Sequence, residues 1–131
     1  MGAPHRRPPI DRDARPDNSW VLQLYLKPTC TTCRKAKSLL REKGAAFEEI
    51  DLNRKLSVEQ LDKLIGARDY RPFLNTRNEL YRQHGMKQNP PSREEALRLM
   101  SEHPNLIKRP ILVKGSRILL GFDENAIAAL T

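Results

Sequence analysis

Both cysteines of this chain, with two residues between them, stand in Lys27-Pro28-Thr29-Cys30-Thr31-Thr32-Cys33-Arg34-Lys35, and the flanks of that motif restrict the fold more than any other stretch. Before it runs Val21-Leu22-Gln23-Leu24-Tyr25-Leu26, apolar enough for a buried strand; after it, residues 31–43 carry helical periodicity. Strand, tight turn, C-x-x-C and helix is the setting in which the motif signals thiol–disulfide chemistry.

The physical reason lies in the helix start. A helix leaves its first amide N–H groups unpaired and carries partial positive charge there. A thiolate at Cys30 sits over those donors with Arg34 nearby, and each influence lowers a cysteine pKa. Cys33 falls one turn inside, on the face that Ala36, Leu39 and Leu40 turn to the core. The expected arrangement is an exposed nucleophile with a sheltered resolving thiol. Half of a zinc site is the first alternative, but zinc usually takes four ligands and there is no second cysteine pair. His5, His84 and His103 are scattered without ligand spacing, so no metal is expected. Two ordinary core cysteines is the blander alternative; the redox reading is preferred.

At 131 residues the chain is long enough for one domain with a real core. No run approaches the roughly 18 apolar residues that span a bilayer, and residues 1–20 lack the apolar stretch of a secretory signal. Two cysteines in a catalytic spacing without a signal point to a reducing cytoplasm. The net charge of +8 is spread along the chain among sixteen acids, and aromatics are 5%. Nucleic acid is one explanation of such a charge and oxyanion substrates or an acidic protein partner another, but with no dense basic helix it reads as a general electrostatic bias and not as a DNA-reading surface.

Residues 1–19 hold four of the ten prolines and no periodicity, so a disordered extension is expected there, with the domain over 20–131. The first strand is expected over 20–27, the first helix to end at Gly44, and a second strand over 47–52. That order implies a right-handed parallel crossover. Ser57 with Gln60 reads as a capping box, Leu56 with Leu61 as a hydrophobic staple, and Val58, Leu61, Leu64 and Ile65 as a buried stripe. Thr76 with Glu79 and Ser92 with Glu95 read as two further boxes, the last opening a helix whose apolar face is Ala96, Leu97 and Met100. These helices form an insertion over about 57–103. Ile111-Leu112-Val113 and Ile118-Leu119-Leu120 flank a hairpin turn centred on Gly115-Ser116, and Asp123 caps a last helix. The fold class is α/β: a thioredoxin/glutaredoxin-like four-stranded mixed sheet with a helical insertion between strands 2 and 3.

Pro28-Thr29-Cys30-Thr31-Thr32-Cys33-Arg34-Lys35-Ala36, Thr76-Arg77 and His103-Pro104-Asn105-Leu106-Ile107-Lys108-Arg109-Pro110-Ile111 together resemble the arsenate reductase/Spx family of thioredoxin-fold proteins, over roughly 21–130. The resemblance implies that Cys30 is the nucleophile, that Arg77 and Arg109 help bind an oxyanion, and that Pro110 is a cis proline beside the cysteine. Arginine suits that role, since its planar fork of donors matches a tetrahedral oxyanion. Two departures divide the family's branches. Glutaredoxin-coupled arsenate reductases carry a third arginine where this chain has Gly121-Phe122, and usually a serine at the position of Cys33. Spx regulators carry a basic tail after the last helix, whereas this sequence stops at Thr131. The expected activity is a thiol–disulfide oxidoreductase with no cofactor beyond a redox-active Cys30–Cys33 disulfide. Its substrate is a small oxyanion or a disulfide, its electron donor thioredoxin, glutaredoxin or glutathione, and its state monomeric. The alternative is an Spx-like redox-switched regulator that binds the RNA polymerase alpha subunit.

Overall fold

The computed structural model describes residues 21–131; the expectations for 1–19 and for a strand beginning at Trp20 lie outside them. The elements in order are β1 (Leu22–Leu26), α1 (Thr31–Glu42), β2 (Phe47–Asp51), α2 (Val58–Ile65), α3 (Glu79–Gln83), α4 (Arg93–Glu102), β3 (Ile111–Lys114), β4 (Arg117–Leu120) and α5 (Glu124–Leu130). The strands form one sheet in the order β2-β1-β3-β4. β1 runs parallel to β2, as a strand–helix–strand crossover requires, while β1–β3 and β3–β4 are antiparallel. This is the thioredoxin-like α/β layer expected from the sequence.

The two faces of the sheet are covered differently, and the period of two along each strand assigns residues to them. Leu22, Leu24 and Leu26 of β1 and Leu112 of β3 pack with Cys33, Ala36, Leu39 and Leu40 of α1 and with Ile127 and Leu130 of α5. Their neighbours Tyr25, Ile111 and Val113 turn to the other face, where Leu61, Ile65, Ala96, Leu97 and Met100 of the inserted helices cover them. β1 is central and buried on one face by leucine alone, each worth about 1.5–3 kcal/mol of transfer. It is the anchor from which the cysteine loop leaves.

Local chemistry fixes the boundaries. α1 closes in a Schellman motif: Gly44, at φ +67, donates its N–H to Arg41 O at 3.0 Å and Ala45 donates to Leu40 O at 3.0 Å. Ser57 and Gln60 form both halves of the capping box on α2. Ser92 accepts from Glu95 N at 3.2 Å, but the Glu95 carboxylate is drawn to Arg98 instead of back to the cap. The Gly115-Ser116 turn joins β3 and β4, with Gly115 at φ +62 in the first central position that a type II′ turn reserves for glycine. Asp123 caps α5 by accepting from Ala126 N at 3.1 Å.

Three local expectations are corrected. Val58 is 38% exposed and stands off the buried stripe, because it occupies the first position of α2, ahead of the turn that Leu61 and Ile65 press into the insert. α3 is capped by Asn78, which accepts from Leu80 N at 2.9 Å, and not by a box from Thr76 to Glu79. A turn intervenes, since Asn75 Oδ1 takes the Arg77 N–H at 3.1 Å and Asn75 O takes Asn78 N at 3.1 Å. The second strand ends at Asp51, whose carboxylate accepts from Asn53 N at 2.8 Å and starts a 3-10 turn that buries Leu52.

Candidate active site

Cys30 occupies the N-cap position of α1 with an extended backbone, φ −84 and ψ 124. The turn that delivers it is closed by Cys30 N donating to Lys27 O at 3.0 Å. Both cysteines are free thiols, Cys30 half-buried and Cys33 fully enclosed. The difference follows from the helix: Cys33, three residues on, shares the core face with Ala36 and Leu40, all at 0% exposure.

The two thiols are driven in opposite directions. Burial pushes Cys30 up, but the hydrogen bonds that favour its thiolate outweigh this, and its pKa falls from 9.0 to about 6. The Thr32 hydroxyl, 3.2 Å away, leads them, and the nearby Cys33 thiol, Cys33 amide and Arg109 guanidinium add to its effect on the pKa. The Cys33 N–H is one of the unpaired donors of the helix start. For Cys33 burial dominates and the pKa is pushed up to about 12, helped by its hydrogen bond to Cys30 and by the Cys30 charge. The Lys27 backbone N–H and the Arg109 charge work against that rise.

Arg109 reaches the thiols because the chain brings it there. Its peptide bond to Pro110 is cis, and Pro110 is buried at the entry to β3. Pro110 O accepts from Gly121 N at 2.8 Å, which extends the β3–β4 ladder to the residue before Phe122. Arg109 Nε and Nη1 are buried and have no hydrogen-bond partner among the described residues. The cation acting on Cys30 is thus Arg109. Arg34, assigned that part from its place beside Cys33, is exposed on α1 and lines a groove with Thr31, Lys35, Ser38 and the 36%-exposed Phe122.

Arg77 is exposed, and its backbone N–H is held by Asn75. Its loop is fastened to the segment leading to Arg109 by an antiparallel bridge, Leu74 to Ile107, with Asn75 N donating to Leu106 O at 2.7 Å and Lys108 N to Phe73 O at 2.8 Å. Asn75 and Asn105 make further links in this corner; Asn105 falls within the stretch that carries the family resemblance, whereas Asn75 has no signal in the sequence beyond its turn-forming chemistry. Among the described residues, no group of three or more His, Cys, Asp or Glu is placed to hold a metal ion. No helix among them is long and apolar enough to cross a membrane.

A thiol pair at a helix start, an arginine at the nucleophile and a proline opening the adjacent strand form one unit spread along the whole chain. The ArsC family model matches residues 25–130, which span that unit from β1 to α5. The chain belongs to the ArsC family. Among its relatives is the global transcriptional regulator Spx of Enterococcus faecalis, 33% identical over 110 residues, which are 82% of this chain and 83% of that protein. Among solved structures, arsenate reductase from Vibrio cholerae is 28% identical with a TM-score of 0.74, covering 87% of this chain and all of that one (100%). A protein of Streptococcus mutans UA159 described as a possible arsenate reductase is 31% identical with a TM-score of 0.64, covering 78% of this chain and 91% of that one. This ArsC-family chain is therefore similar both to a regulator and to reductases.

Proposed function

We propose that this protein is a thiol–disulfide oxidoreductase in which Cys30 is the nucleophile and Cys33 the resolving thiol. The observation that carries the reading is the placement of the pair, Cys30 half-buried at the start of α1 and Cys33 enclosed one turn inside, which sends the Cys30 pKa down to about 6 and the Cys33 pKa up to about 12. Near neutral pH the first is ionised and reactive, the second protonated and protected. The Cys30 thiolate attacks a substrate disulfide, one S–S bond breaks, and the departing thiolate takes up a proton. That adduct removes the Cys30 charge, and with it two of the influences that hold Cys33 protonated. Cys33 then loses its proton and attacks Cys30 Sγ, releasing the second substrate thiol and leaving a Cys30–Cys33 disulfide. Two electrons have passed to the substrate. A dithiol protein such as thioredoxin or glutaredoxin, or glutathione, returns them.

An oxyanion is the second substrate class this site accommodates. The two unpartnered Arg109 donors support it, since a buried donor without an acceptor costs about 1–3 kcal/mol that an anion's oxygens would relieve. Arg77 and Arg34 are the further cations proposed for that role. With Gly121-Phe122 in place of a third arginine, arsenate turnover is expected to be slow and disulfide exchange the better activity.

The test is turnover of a small disulfide and of arsenate, each with thioredoxin, glutaredoxin and glutathione, in the parent and in Cys30→Ser. Loss of both activities in the variant supports the enzyme; activity of neither kind in the parent removes it. A second reading is favoured by the Spx relative and by the C-x-x-C pair: a redox-switched regulator that binds the RNA polymerase alpha subunit without turnover. Binding of the alpha C-terminal domain that changes with the Cys30–Cys33 redox state, in a protein lacking turnover, would select it.

A further inference from the structure

Four residues outside the thiol pair make a continuous polar link that starts at the cysteine turn. Lys27 lies beside both cysteines: its carbonyl accepts from Cys30 N at 3.0 Å, and its amide is near enough to the Cys33 thiol to oppose the rise of that thiol's pKa. Its ammonium donates to Asn105 Oδ1. Asn105 O in turn accepts from Asn75 Nδ2 at 3.0 Å, and Asn75 Oδ1 accepts the Arg77 N–H at 3.1 Å. The contacts span 78 residues of sequence between Lys27 and Asn105 and 30 between Asn75 and Asn105.

We propose that Asn75 and Asn105 are positioning residues of the thiol site, fastening the loop of Arg77 and the turn that leads to Arg109 onto Lys27. The proposal rests on the reading of an anion-accommodating thiol site. Backbone pairing alone does not achieve this fastening. The Leu74–Ile107 bridge is antiparallel, so the chain runs in opposite directions from it toward Arg77 and toward Arg109. Asn75 stands opposite Leu106 on the Arg77 side of the bridge, and its side chain carries the pairing on to Asn105, fastening the Arg77 turn to the segment just ahead of the bridge. It holds the Arg77 amide with its oxygen and the Asn105 carbonyl with its nitrogen, both functions of one amide group. Asn105 then uses its own side chain for Lys27, so the two links are chemically separable. Each asparagine acts on an anion only through a cation, Asn75 through Arg77 and Asn105 through Lys27.

That separation defines the experiment. Inorganic sulfate is titrated into the reduced full-length protein and followed by the amide resonances of Cys30 to Cys33, with thermal stability measured in parallel. Asn75→Ala should weaken sulfate about fivefold in the parent and by less than about 1.5-fold in an Arg77→Ala background. Asn105→Ala should weaken it about threefold in the parent and not in a Lys27→Ala background. The alkylation midpoint of Cys30 should not move in Asn75→Ala. An equal loss in both backgrounds, or a loss that tracks the melting temperature, overturns the positioning role while leaving the anion site standing. No sulfate-dependent shift at Cys30 to Cys33 in the parent overturns the anion site and this role together.

Discussion

The Arg109 guanidinium lies against the Cys30 thiol, yet two of its donors, Nε and Nη1, are buried and pair with nothing among the described residues. One side chain thus lowers the pKa of the nucleophile and keeps donors in reserve beside it. A lysine could supply the charge but not the fork.

The first prediction follows from that pairing. The rate of Cys30 alkylation should rise with pH to a midpoint of about 6, not near the ordinary 9.0. A hydrogen bond to a charged group is worth about 1.5–3 kcal/mol, and the lower end suits a half-exposed thiol. Arg109→Ala should therefore raise the midpoint by about one unit and slow alkylation at pH 6 roughly fivefold. The folded pKa is depressed, so the thiolate's contribution to stability is complete above 9.0 and is lost as pH falls through about 6. Melting curves of the parent and of Cys30→Ser should accordingly converge between pH 9 and pH 5. A parallel offset across that range would contradict the assignment.

Cys33 should behave as the opposite kind of thiol. Enclosed at 0% exposure and pushed up to about 12, it should alkylate at least about a hundredfold more slowly than Cys30 at neutral pH. Mild oxidation should give a disulfide within one chain, while Cys33→Ser should yield dimers linked through Cys30. Mass spectrometry of alkylated, oxidised samples reads both outcomes, and equal labelling of the two cysteines would remove the nucleophile–resolver division.

Restoring a third arginine is possible at one of two adjacent positions only. Gly121 sits at φ +86, and a Cβ there would stand 3.4 Å from Lys108 Cε. Gly121→Arg should cost about 1–3 kcal/mol of stability in denaturant unfolding, since a side chain rarely adopts that backbone. Phe122→Arg meets no such barrier, its side chain being exposed in the groove beside Arg34. It should leave stability within about 0.5 kcal/mol. A well-placed donor at an oxyanion is worth about 10²–10³ in rate, so Phe122→Arg should raise arsenate turnover, if only by part of that range. Unchanged turnover would show that this groove does not face the reacting anion.

The cap of α3 gives a test of local structure. Asn78→Ala should destabilise the protein by about 0.5–1 kcal/mol, because the Leu80 amide loses its acceptor. Thr76→Ala, at the residue that sequence spacing suggests as the cap, should change stability by less than about 0.5 kcal/mol. Urea unfolding of the two variants compares them directly; the reverse order would move the helix start.

Much of this was written in the chain. Strand, C-x-x-C and helix placed Cys30 at a helix start and Cys33 on its buried face, because a 3.6-residue period leaves no other face for a residue three positions inside. Ser57-Gln60, Gly44, Gly115-Ser116 and Asp123 marked ends and turns through chemistry that acts within a few residues. Local signals failed where two of them competed. Thr76 and Asn78 could each cap α3, and the turn made by Asn75 decided for Asn78. Which cation serves Cys30 was beyond sequence spacing altogether. Arg34 is four residues away but points along the exposed side of α1, whereas Arg109 arrives across the β1–β3 pairing that sets Tyr25 opposite Ile111. Charges act through space, and only the folded sheet determines which space they share.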